Sequence, residues 1–413
     1  MNAKIRLFTC CLFTILYSII SSSAYPQIDT ILFDNTKSKI PYRIPAIAQA
    51  KNGDIIALSD YRTCKADIGY GKVDILAKIS KDNGKTWGEE IMIAQGNGIK
   101  DDKACGYGDA SIVADRNKNE VLIMMVAGNV PYPQATRTNP NRVAMIKGNY
   151  DTKTKSWHFS APKDITNEIY SLLPKVTSLF FTSGKICQSR QIKKSQYYRL
   201  YAGLCTLQGN FVLYSDDFGK SWQVLGNSKN SCIVSGDECK CEELSNGDVL
   251  LSSRADYGRI FNIFHYTNKA KAQGYWDNAV MPLKENNGIY NTGTACNGEV
   301  LLITAIRKLD NKKTDILLQS VVANDGRNDV TIYYKELKDN NDYSTPNEIS
   351  KDWDGEFLVS KGSSAYSTMI QLQDGNIAFY FEDKGYNAGY NMRYCTFSIE
   401  QITQDKYTSL ISN

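Results

Sequence analysis

Short apolar runs rich in Val, Ile, Leu, Tyr and Phe alternate along most of the chain with clusters of Asn, Asp, Gly, Lys and Ser. Several neighbouring runs are separated by Asn-Gly or Asp-Gly. That dipeptide predicts a β-hairpin, because both central residues of a type I′ turn need positive φ. Six related units follow the pattern, with turns around Gly53, Asn119, Ser195, Gly247, Gly298 and Gly375. The unit around Ser195 has no turn glycine and departs furthest from the others. The units fill nearly all of the chain and predict an all-β fold, a six-bladed β-propeller. Radial repetition of four-stranded sheets leaves few exposed edges. An array of β-sandwiches is the alternative arrangement of the same strands.

Two units carry Ser-x-Asp-x-Gly-x-x-Trp, at Ser80-Asp82-Gly84-Trp87 and Ser215-Asp217-Gly219-Trp222. Each follows an apolar strand. Ser and Asp side chains that hold a turn, with Trp packed beneath it, account for these residue types. These Asp-boxes are therefore read as structural.

The first residues break the strand pattern. Lys4 and Arg6 precede an apolar stretch from Leu7 to Ile20, and Ser21, Ser22, Ser23 and Ala24 follow. This predicts a signal peptide over residues 1–24, a secreted protein, and one propeller domain over residues 25–413. The stretch is short for a membrane span, so retention by an uncleaved anchor is the less favoured alternative. Net charge is only +4, two units of it in the leader, which gives no electrostatic reason to expect nucleic acid. With two histidines, His158 and His265, a zinc site or a His-activated Ser or Cys nucleophile is disfavoured. Of eleven cysteines, Cys10 and Cys11 lie in the leader. The odd remainder predicts at least one free thiol or an intermolecular bond in an oxidising compartment. Cys239 and Cys241 face one side of a predicted strand and read as packing or disulfide residues.

Polar residues flank the hairpins at repeated positions. Arg43, Asp109, Glu238 and Tyr366 precede their turns, whereas Arg62, Arg254 and Glu382 follow theirs. Asp67 and Arg327 lie in connections at the end away from the turn. All nine map to one face of the disc. Singly, each arginine reads as a salt bridge between blades, and Tyr366 as one core residue among 26 tyrosines. Several arginines at repeated positions on one face suit a different role, because arginine grips a carboxylate through two parallel bonds.

From about residue 40 to about residue 385 these residues resemble the non-viral exo-α-sialidases, or neuraminidases, and the related trans-sialidases. Tyr42-Arg43-Ile44-Pro45 is similar to the family's Arg-Ile-Pro signature, and Ser364-Ala365-Tyr366-Ser367 to its nucleophile segment. The interval from Glu238 to Arg254 matches that between the family's catalytic glutamate and second arginine. The resemblance implies Tyr366 as nucleophile, Glu238 as its base and Asp67 as acid/base. It implies Arg43, Arg254 and Arg327 as a carboxylate-binding triad and Glu382 as the brace of Arg43. Arg62 and Asp109 would contact the sugar near its 4-hydroxyl. Arg307 also stands at a strand end, but the strand pattern after Arg327 and its spacing to Tyr366 favour Arg327.

The implied reaction is hydrolysis of terminal sialic acid from glycans, glycoproteins or glycolipids, with retention through a tyrosyl-enzyme intermediate. No metal or organic cofactor is implied, and a monomer is expected. A trans-sialidase, inter- or intramolecular, shares every residue. A non-catalytic sialic-acid-binding propeller would be marked by loss of Asp67, Glu238 or Tyr366, and all three are present.

Overall fold

Residues 27–290 and 296–410 are described by a computed structural model of the chain. The predicted leader lies outside them. Strands dominate, and their residues alternate between two buried faces. In Glu120–Ala127, Val121, Ile123 and Met125 pack toward the preceding sheet, whereas Leu122 and Met124 pack toward the following one. A period of two with both faces apolar is what a strand inside a stack of sheets requires.

Five hydrogen-bonded sheets follow one another along the chain. The first joins Tyr42–Gln49, Ile55–Tyr61, Asp74–Ser80 and Ile91–Ala94, all antiparallel. Two more are built around Tyr107–Ala114 and Tyr197–Thr206, and a fourth runs from Cys239–Glu243 to Gln273–Trp276. The last has eight strands. Its long strand Gly355–Gln371 pairs through residues 355–363 with Asn328–Leu337 and through residues 364–371 with Ile377–Tyr386. One strand thus serves two four-stranded groups.

Apolar clusters fill the space between successive sheets and between the two halves of the last one, and a further cluster packs the last group against the first. The N-terminal strand Ile28–Phe33 adds to Gly389–Phe397 at this closure. Inner strands meet through buried polar groups: Lys185 with Glu242 at 2.5 Å, Lys240 with Glu299 at 3.6 Å, and Thr368 with Glu299 at 2.9 Å.

Five of the six predicted turns form, around Gly53, Asn119, Ser195, Gly247 and Gly375. The turn predicted at Gly298 does not. Asn297 and Glu299 are almost wholly buried, and Glu299 exchanges backbone and side-chain bonds with Ser320 as an extension of Val300–Arg307. Its carboxylate is needed on the axis by Lys240 and Thr368, so the segment stays extended. The hairpin turns instead between Arg307 and Lys312. Part of the strand predicted before Gly298 falls outside the described residues.

Both Ser-x-Asp-x-Gly-x-x-Trp segments form turns closed by their own side chains. Ser80 Oγ accepts from Gly84 N at 2.8 Å and Asp82 from Thr86 N at 2.8 Å; Ser215 and Asp217 repeat the arrangement with Gly219 and Ser221. The nine cysteines among the described residues are all free thiols. Cys239 and Cys241 pack in one apolar cluster with Tyr201 and Leu251, so the packing reading holds for them.

Candidate active site

The inner strands end, away from their hairpin turns, at a cavity of about 420 Å³. Arg43, Arg62, Asp67, Asp109, Glu238, Arg254, Arg327 and Tyr366 line it. A cavity of about 430 Å³ lies elsewhere, lined by Gln49, Arg116, Lys185, Arg190 and Glu242 among others, and none of the nine predicted residues reaches it. Two of its cations, Lys185 and Arg190, are already paired with Glu242.

Three of the lining residues stand at register shifts. Pairing slips between Arg43 and Ala46, between Gly108 and Ser111, and between Ser364 and Ser367. Such β-bulges re-aim side chains at the end of a strand. Here they turn Arg43, Asp109 and Tyr366 toward the axis, with Ile44 and Asp109 at φ of 60° and 51°.

At the floor, Tyr366 Oη donates to Glu238 Oε2 at 2.8 Å. Arg254 Nη1 donates to the same oxygen at 2.8 Å and to Tyr366 Oη at 3.2 Å. Antiparallel pairing of the segments carrying Glu238 and Arg254 sets this contact, through Arg254 N to Glu238 O at 2.7 Å. Burial raises the Glu238 carboxyl above its ordinary range, against the pull of Arg254. Burial, then Glu238, holds the Tyr366 phenol well above its ordinary value, so it is neutral. This neutral acid and buried carboxylate share one hydrogen bond in a form suited to proton transfer.

Glu382 stands behind Arg43 and does not line the cavity. It is fully buried and accepts from Arg43 Nε at 2.7 Å, Ile44 N at 2.8 Å and Tyr366 N at 3.1 Å. Burial opposes the charge of Arg43, and Glu382 outweighs it. The Arg43 and Arg327 guanidiniums each lie 5.7 Å from the centre of the Tyr366 ring. Arg327 sits in the turn after Lys312–Asn324, at φ 62°. Among the described residues its guanidinium has no carboxylate partner. Arg307 is remote from this cavity, bound to Asp310 and Glu336.

Arg62 forms the opposite wall, with Asp67 at 3.2 Å and Asp109 at 3.3 Å from its Nη2. Burial, then Asp67 and Asp60, pushes the Asp109 carboxyl well up. Asp67 is the solvent-facing carboxylate of the group, with its side chain 61% exposed. Asp60, Asp237, Tyr70, Tyr132 and Phe180 are absent from the sequence reading. Asp237 adjoins Glu238 and holds Arg254 Nε at 3.4 Å. Tyr132 and Phe180 pack edge to face at 4.8 Å and give the cavity an apolar side. Asp60 stands two residues before Arg62, but its contacts follow no repeat of the sequence. Nothing in the repeats marks the aromatics: Tyr70 and Tyr132 stand in connections and Phe180 in the short strand Leu179–Phe181.

No family model matches the chain. A curated sialidase of Micromonospora viridifaciens is 31% identical over 223 residues, which are 52% of this chain and 32% of that protein. The chain thus spans about a third of the length of that relative. The intramolecular trans-sialidase of Ruminococcus gnavus, solved with oseltamivir carboxylate, matches with a TM-score of 0.68 at 16% identity, covering 92% of this chain and 99% of that one. The leech intramolecular trans-sialidase, complexed with 2,7-anhydro-Neu5Ac, matches with a TM-score of 0.68 at 15% identity, covering 92% and 71%. At these identities the structural matches establish likeness of fold.

The geometry makes Glu382 the anchor of Arg43. Glu382→Ala is expected to cost about 3–5 kcal/mol of stability, because it leaves a buried guanidinium unpaired. Denaturant unfolding checks this; a loss below about 1 kcal/mol would show that Arg43 finds another partner. In sequence over half of its length, and in fold over nine-tenths of it, the chain resembles the non-viral sialidases and trans-sialidases.

Proposed function

We propose that the chain is an exo-α-sialidase that releases terminal sialic acid from glycoconjugates with retention, through a covalent bond to Tyr366. The observation that carries this reading is the 2.8 Å bond from Tyr366 Oη to Glu238, set between the Arg43 and Arg327 guanidiniums. Sialic acid bears a carboxylate on its anomeric carbon. A carboxylate nucleophile would be repelled there, whereas a neutral phenol is not. A phenol is a weak nucleophile until a base takes its proton. Glu238 is that base: it accepts the phenol's hydrogen bond, and its raised carboxyl makes it more basic than an ordinary glutamate.

Arg327, without a carboxylate of its own, meets the substrate carboxylate together with Arg43 and Arg254. Asp67, the exposed carboxylate, faces the side from which the aglycone leaves. It protonates the departing oxygen, then takes a proton from the water that attacks the tyrosyl intermediate. Glu238 returns its proton to the Tyr366 oxygen as that bond breaks. Atoms and charges balance over the cycle, and the anomeric configuration is inverted twice. Five apolar clusters between sheets, a sixth between the two halves of the eight-stranded sheet, and the shared strand Gly355–Gln371 support reading the fold as a six-bladed propeller. Residues 1–24 fit export of this domain.

The direct test is to incubate purified protein with sialyllactose and identify the product. Free sialic acid is expected; anhydro or transferred sialic acid would assign transfer instead, and no release would remove the reading. Two further outcomes follow. Asp67→Ala should lose at least tenfold more activity on sialyllactose than on an aryl sialoside, whose phenolate leaves without a proton (roughly 10²–10⁴-fold is the usual worth of a general acid). Equal losses would take the acid role from Asp67. Glu238 must be ionised to act, and its carboxyl is raised. The acidic limb of kcat/KM should therefore lie above the ordinary glutamate range of about 4.3. A limb at or below that range would contradict the assignment.

A further inference from the structure

Neither the repeats nor the resemblance gives a part to Asp60, which is fully buried at the end of Ile55–Tyr61 and paired in register with Arg43. Its Oδ2 accepts from Arg62 Nε at 3.2 Å and from Nη2 at 3.0 Å. Its Oδ1 accepts from the backbone N–H of Asp109 at 3.0 Å, on the next sheet. A single carboxylate therefore holds a guanidinium in plane and fixes the main chain opposite it.

The consequences reach the cavity. Arg62 Nη2, oriented by Asp60, also contacts Asp67 and Asp109. Nη1 has no acceptor among the described residues and is left for a ligand. Asp109 adopts φ 51°, a conformation that a non-glycine residue keeps only where its surroundings hold it. The bond from its N–H to Asp60 is such a restraint. Gly108 permits the approach, since a Cβ there would lie 2.8 Å from Asp60 Oδ2 and 2.6 Å from Ile68 Cγ1. Without Asp60, the side chains of Arg62, Asp67 and Asp109 have no common reference.

We propose that Asp60 is a positioning residue: it fixes Arg62 and the Asp109 backbone, and through Arg62 the carboxylate of Asp67, in one geometry. In its catalytic consequences the proposal rests on the sialidase reading above. Asp60→Asn preserves shape and an acceptor for Asp109 N–H, but turns an amide toward Arg62. A small misplacement in a site of this kind costs on the order of 100-fold, and that loss of kcat/KM on sialyllactose is expected. A purely structural residue would cost the same whatever stands at position 62. If Asp60 acts through Arg62, adding Asp60→Asn to Arg62→Met should cost less than about threefold.

A second readout is independent of catalysis. In isotopically labelled protein the Arg62 Nε–H proton should exchange slowly with solvent in the wild type and rapidly in Asp60→Asn. Should Asp60→Asn fail to fold, the comparison of Arg62→Met with the double variant, which removes both halves of the buried pair, decides the question. Equal losses from Asp60→Asn in both backgrounds, or equal Nε–H exchange in wild type and Asp60→Asn, would overturn the proposal. Absence of sialic acid release by the wild type would sink the functional reading alone, and the exchange measurement would still test Asp60.

Discussion

The bond between Arg43 and Glu382 joins the first sheet to the last group of strands, across 339 residues of chain, at 2.7 Å. It is buried, and it lies where the circuit of sheets closes. The same carboxylate holds the backbone of Tyr366. Closing the fold and placing the proposed nucleophile beside its arginine are thus one event. Buried guanidiniums repel one another and resist desolvation, so a pocket that gathers them must supply a carboxylate behind each. Glu382 does so for Arg43, Glu238 for Arg254 and Asp60 for Arg62. Among the described residues Arg327 has no such carboxylate, and its guanidinium lies 5.7 Å from the centre of the Tyr366 ring.

This pairing explains why the site needs the whole circuit. Arg254 lies in one sheet with Glu238 just before its first strand, Tyr366 and Glu382 lie in another, and Arg43 lies in the first with Arg62 just after the strand Ile55–Tyr61. Apolar clusters between sheets fix their separation, and bulges at Arg43, Asp109 and Tyr366 aim the side chains. Below the floor, Lys240, Glu299, Lys185 and Glu242 continue the same logic of buried opposite charges.

Much of this was legible in the sequence for a physical reason. A turn signal fixes which end of each hairpin is which, and residues at equal distance from the turn must share a face. That argument alone gathers Arg43, Asp109, Glu238, Arg254 and Tyr366. It failed at Asn297-Gly298, where a turn-forming dipeptide is overruled by the burial of Glu299 against Lys240. Asp60 escaped because its role is contact with Arg62 and with a backbone N–H on another sheet, neither of which has a sequence period. The aromatic side of the cavity comes from Tyr132, in a connection, and Phe180, in the short strand Leu179–Phe181, neither of which belongs to a predicted hairpin. Turn chemistry thus orders the strands, and the buried charges determine where that order gives way.

In the proposed reaction Tyr366 bonds covalently to the anomeric carbon of sialic acid. Rapid acid quench of the enzyme during turnover of an aryl sialoside, followed by peptic digestion and mass spectrometry, tests it most directly. A sialyl adduct is expected on the peptide containing Tyr366, and none in Tyr366→Phe. An adduct on another residue, or full turnover by a folded Tyr366→Phe variant, would contradict it.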